Sequence, residues 1–90
     1  MTTQISDFST AIAELMGQVL SRAPLAADED FFDAGGDSLR AVEVLQRFVK
    51  EQQLPESVDT GDLQAELLVS IFEDASPAAL AAVVNSHVAG

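Results

Sequence analysis

Apolar residues spaced at steps of three and four, with no clear strand pattern beside them, most limit the folds open to this chain. Ile5, Phe8, Ile12, Leu15, Met16, Val19 and Leu20 fall on one face when wound as an α-helix. That helix is expected to end near Ser21, because Pro24 disfavours helical geometry at Ala23. The next sixteen residues, RAPLAADEDFFDAGGD, have no periodicity. A connection that long is unusual in a compact domain unless it has a task, and Leu25, Phe31 and Phe32 are expected to pin it to the core. A second helix starts at Asp37-Ser38 and runs through LRAVEVLQRFVKEQQ, with Asp37 as N-cap and Pro55 as a stop. Ala41, Val44, Leu45 and Phe48 form its core stripe. Leu39, Val42 and Gln46 lie on another face beside Glu43, so Leu39 and Val42 read as exposed apolar residues.

LPESVDTGDLQ is polar and turn-rich, and AELLVSIFED after it reads as a short third helix started by capping from Thr60. Leu63, Leu67 and Ile71, with Leu68 and Phe72, repeat at four, although LLVSIF alone would also suit a strand. Ser76-Pro77 reads as N-cap and first residue of a last helix that buries Leu80, Val83, Val84 and Val88. The expected fold is therefore all-α: a small four-helix bundle with a long loop between helices one and two.

Ninety residues, 48% of them hydrophobic, suffice for one core, so a single domain over residues 1–90 is expected. Without cysteine, neither a disulfide nor a thiolate metal site holds it together. Fifteen acidic residues against four basic ones give a net charge of -11, which repels a nucleic-acid backbone. The same charge steers a domain toward basic partner surfaces, and it also serves plain solubility. The start, MTTQISDFSTAIAELMG, lacks the basic n-region and apolar run of a signal peptide, and no segment reaches the roughly 18 apolar residues of a membrane span. A cytoplasmic monomer without membrane association is expected.

Chemistry concentrates in FFDAGGDSLRAVEVL. Gly35 and Gly36 allow conformations and close approach that a β-carbon would obstruct, opening the Ser38 hydroxyl to a partner's active site. A phosphate on Ser38 would meet the unpaired amides and positive dipole end of helix two. On spacing alone, Gly-Gly-Asp-Ser before a helix is a turn and a cap. The segment also resembles the prosthetic-group attachment motif of acyl and peptidyl carrier proteins, with Ser38 on the modified serine. The likeness spans nearly the whole chain, since helix one, the acidic FFD loop, LVSIFED and the closing SPAAL helix follow the family's order.

The resemblance implies a non-catalytic four-helix carrier whose Ser38 bears 4'-phosphopantetheine, transferred from coenzyme A by a separate, magnesium-dependent phosphopantetheinyl transferase. Asp37 would help engage that transferase, while Leu39, Val42 and Glu43 would form part of a partner-facing surface. Cargo would ride as acyl or aminoacyl thioesters from an adenylating or acyltransferase loading enzyme to downstream synthase, condensation or tailoring enzymes. The double glycine and FFD lean toward peptidyl carriers and Val42-Glu43 toward acyl carriers, which suits nonribosomal peptide, polyketide or hybrid biosynthesis, including that of antibiotics. Arg40, on a surface acidic in many fatty-acid carriers, and a long Gln52 to Glu66 link that would serve one particular partner depart from the family pattern. Met1 close before helix one, and a chain end close after the last helix, suggest a discrete carrier, which a trimmed domain would imitate.

Three rival readings meet the same segment. Gly-Asp-Ser-Leu also names a lipase and esterase family, but serine hydrolysis needs an activating base and oxyanion donors. The only histidine, His87, lies near the chain end and reads as a surface residue of the last helix, and ninety residues are too few for that scaffold. The acids of DEDFFDAGGD do not form an EF-hand. Counted from Asp28, the fifth residue is Phe32, the sixth Asp33 and the twelfth Leu39. No metal site is expected. An unmodified acidic helical adaptor, whose acidic surface binds a partner while Ser38 merely caps a helix, predicts the same fold.

Overall fold

A computed structural model of the chain describes residues 5–52, 54 and 56–89. Among these residues four helices follow one another: α1 (Ile5–Leu20), α2 (Ser38–Glu51), α3 (Thr60–Glu73) and α4 (Pro77–Ala89). α1 packs against α2 and α4, and α3 packs against the same two. Ile12, Leu15 and Met16 of α1, Ala41, Val44, Leu45 and Phe48 of α2, Leu63, Leu67 and Ile71 of α3, and Leu80, Ala81 and Val84 of α4 meet in one core. Phe8 joins it edge-on to Phe48, with ring centroids 6.1 Å apart. Each of these stripes follows the three- and four-residue spacing of its helix, and burying them is the main stabilising term for a bundle of short helices. The Ile5 side chain and Pro55 lie outside the described residues.

Local chemistry sets the helix ends. α1 stops where Ser21 turns to φ 59°, so that its amide donates to the Gln18 carbonyl at 3.2 Å and the Arg22 amide donates to the Gly17 carbonyl at 2.9 Å. That pair of bonds satisfies carbonyls the helix leaves open, with a serine in the left-handed position glycine usually takes. α4 begins as expected: the Ser76 hydroxyl accepts from the Ala79 amide at 3.2 Å, and Pro77 is the first helical residue.

Two expectations about the middle of the chain are corrected. The third helix is not short: it has 14 residues, as many as α2, and takes in Thr60 to Glu66 from the supposed link. Asp59 rather than Thr60 caps it, its carboxylate accepting from the Asp62 amide at 3.1 Å, so the helix starts before the apolar run that announced it. The connection from α2 shrinks to residues 52–59, and buried Val58 ties it to the core.

The long loop is a fixed structure. Its Leu25 amide donates to the Ala13 carbonyl of α1 at 3.4 Å, its Phe31 amide to Ala75 at 3.1 Å, and the Ala78 amide donates back to Ala27 at 3.0 Å. Leu25 and Phe31 are buried and Phe32 is half-buried. The loop therefore bridges α1 and the α3–α4 junction, and its far end delivers α2 in a defined place.

Candidate functional site

The site begins in the last turn of that loop. The Asp30 carboxylate accepts from the amides of Phe32 at 2.8 Å and Asp33 at 3.1 Å, starting a tight coil. The coil continues through Ala34 to Asp30, Gly35 to Phe32 and Gly36 to Phe31, with amide-to-carbonyl distances of 3.0 to 3.1 Å. Gly35 ends it with φ +116°, a conformation that side chains disfavour. Gly36 then lies flat on Phe31: a β-carbon there would stand 2.2 Å from that ring. The close approach expected to admit a partner's active site is thus used inside the protein, where an aromatic ring fills the space. At Gly35 the β-carbon position is open, with nothing within 4 Å.

Asp37 follows in extended geometry, φ -138° and ψ -179°, and caps α2 by accepting from the Arg40 amide at 2.9 Å. Because Asp37 takes the cap, Ser38 becomes the first helical residue and its hydroxyl is not consumed in capping; the side chain is exposed. The first intrahelical bond runs from the Ala41 amide to the Asp37 carbonyl at 2.9 Å, so the Ser38 and Leu39 amides precede it and face the helix end. Leu39 is 81% exposed and Glu43 is exposed, in a 3.1 Å ion pair with Arg47. Val42, expected beside them as exposed, is half-buried, since its position turns it partly toward the core stripe.

A second apolar surface stands on α3. Leu68 and Phe72 were expected with the core repeat, yet they are 37% and 56% exposed, and Val69 is 60% exposed. The Leu63, Leu67 and Ile71 row alone turns inward. Phe72 stacks on Phe32 with centroids 5.6 Å apart, and Phe32 meets Phe31 edge-on at 5.6 Å. A line of ring contacts thus runs from the face of α3 to Gly36, two residues before Ser38. The nearly continuous apolar stretch AELLVSIF was the available signal for this surface, since one helix face cannot bury all of it.

Two charged pairs lie away from this surface. The Glu29 carboxyl is held below its ordinary value of 4.5 by the Ala26 amide, 3.1 Å away, and by the Arg22 guanidinium, 2.9 Å away. His87 is not fully on the surface: it is partly buried, with Nε2 2.7 Å from the Glu66 carboxylate, and links α4 to α3. Among the described residues no cluster of acids and histidines suited to a metal ion is found, and no helix is long and apolar enough to cross a membrane.

The fold and site together define a small helical bundle that presents one serine hydroxyl at a capped helix start. Residues 10–84 match the family model described as the phosphopantetheine attachment site. The chain belongs to that family, and is a carrier protein whose cofactor is covalent 4'-phosphopantetheine. Neither the curated proteins nor the solved structures give a match. Such carriers interact with a phosphopantetheinyl transferase and with synthetic enzymes, and are in general themselves non-catalytic.

Proposed function

We propose that Ser38 is the attachment residue, and that the chain presents acyl or aminoacyl thioesters to the enzymes of nonribosomal peptide, polyketide or hybrid biosynthesis as a cytoplasmic, monomeric, single-domain carrier. The carrying observation is the position of Ser38: exposed, first in α2, relieved of capping by Asp37, and inside the matched residues. The residues fit the group. A phosphodiester on the serine oxygen would lie against the open amides at the helix start, which favour an anion, while the exposed position leaves the rest of the arm free.

The bound cofactor supplies a terminal thiol, whose thioester keeps the cargo reactive. The chain's own residues do the positioning. Asp37 fixes the start of α2 and offers a carboxylate beside the serine for the transferase to recognise. Leu39, Val42 and Glu43 give partners a mixed apolar and acidic surface, which governs encounter rate and choice more than final affinity. Carriage over many partners requires that each contact be brief, and a small exposed patch on a domain of net charge -11 suits that.

The test is the intact mass after incubation with coenzyme A, magnesium and a broad-specificity phosphopantetheinyl transferase. Wild-type protein gains one phosphopantetheine and Ser38→Ala gains none. A folded, initially unmodified wild type that gains nothing would return the chain to the unmodified-adaptor reading.

A further inference from the structure

Arg40 stands at the unfavourable end of its helix. It is the third residue of α2, where open amides and aligned peptide dipoles disfavour a cation, and the first turn holds no acid. Its side chain folds back toward the helix start, putting Nη1 3.1 Å from the Asp37 carboxylate that also caps its own amide. Both side chains are more than half exposed, at 51% and 57%, so the pair rearranges at little cost and contributes little stability by itself. Three of the four basic residues lie on α2, and Arg47 faces Glu43; only Arg40 is placed at the helix start.

The arrangement gains meaning on the reading above, that Ser38 carries the arm. A phosphodiester at Ser38 places a full negative charge next to the Asp37 carboxylate, in a chain already at -11. The helix amides offer only partial charges against it. A guanidinium has five N–H donors in a planar fork that matches phosphate oxygens and can serve two anions at once. We propose that Arg40 is the counter-ion of the arm's phosphodiester, shared with Asp37 in the loaded protein, and that it holds the root of the arm against the start of α2. Leu39 and the rest of the partner-facing surface then meet an arm that leaves the domain in a preferred direction.

The experiment compares full-length wild type, Arg40→Gln and Arg40→Lys before and after conversion with coenzyme A and transferase, with intact mass reporting attachment. The expected result is a downfield move of the wild-type Arg40 Nε–H resonance on conversion. The phosphodiester ³¹P signal of loaded wild type should differ from that of loaded Arg40→Gln, approach it as sodium chloride is raised, and lie beyond that of Arg40→Lys. A confirmed mass gain with the Arg40 resonance unmoved would overturn the proposal while leaving Ser38 as attachment residue. This wild-type comparison decides the matter even if a variant is converted poorly. Absence of any wild-type mass gain would overturn the attachment reading, and the proposal with it.

Discussion

Gly36→Ala tests whether Phe31 really sets the geometry that delivers Ser38. The new β-carbon would stand 2.2, 2.5 and 2.6 Å from three carbons of the ring, where carbon pairs normally rest at roughly 3.5 to 4.0 Å. More than an ångström must be recovered, and the ring has nowhere to go. Phe31 is fully buried, Phe32 lies edge-on to it at 5.6 Å, and its amide is tied to Ala75 at 3.1 Å. Overpacking of this kind costs about 2–3 kcal/mol. In a domain of this size that corresponds to a fall in melting temperature of about 8–24 °C, at about 4–8 °C per kcal/mol. Thermal and urea unfolding followed by circular dichroism would measure it. A second arm isolates the clash: with Phe31→Leu in the same chain, the methyl has room, so the two changes should be less harmful together than their sum by at least about 1 kcal/mol. A melting temperature within about 2 °C of wild type, or strictly additive losses, would refute the reasoning.

Other positions give simpler tests. Ser21→Gly should raise stability by about 0.5–1 kcal/mol in urea unfolding, because the left-handed φ of 59° is strained for serine and free for glycine. Glu29 has a folded pKa below its unfolded value, so its contribution is present above about pH 4.5 and is lost as pH falls through the folded value. Glu29→Gln should therefore flatten the acid side of the stability profile below that pH; an unchanged profile would remove Glu29 from the account. Asp37→Ala should cost about 1 kcal/mol through the lost cap and also slow conversion by the transferase. Leu39→Ala and Glu43→Lys should slow loading or transfer while leaving circular dichroism unchanged, and normal kinetics in both would dismiss the α2 docking surface.

What could be read from the sequence was what depends on neighbours along the chain. The Asp37 and Ser76 caps, Pro77 as first helical residue and the Ala41, Val44, Leu45, Phe48 stripe all follow from short-range patterns, and all appear in the structure. The Ser21 turn was placed but its conformation was not legible, because serine carries no mark of a left-handed φ as glycine does. In α3, adjacent Leu67 and Leu68 fit the period equally well, and only the packing of α2 and α4 against that helix decides that Leu67 is buried and Leu68 exposed. Gly36 was legible as a glycine with a purpose and misread in its object, since Phe31 reaches it only after the chain has coiled through Asp30 and Gly35.

The same contrast explains how a carrier can be rigid and sociable at once. Residues that fix Ser38 in space point inward or bond to the backbone: Phe31 under Gly36, Asp30 under the coil, Asp37 on the Arg40 amide, Ala27 and Ala75 tying the loop to the α3–α4 junction. Leu39 and Glu43 on α2, which the proposed function turns toward partners, and Val69 and Phe72 on α3 make few demands on the core and are exposed. Phe72 reaches toward the inner set indirectly, through its stack on Phe32, which in turn meets Phe31 edge-on. Substitutions on the open set should therefore change which enzymes engage the carrier without unfolding it, whereas substitutions beneath Ser38 should lose stability and every partner together.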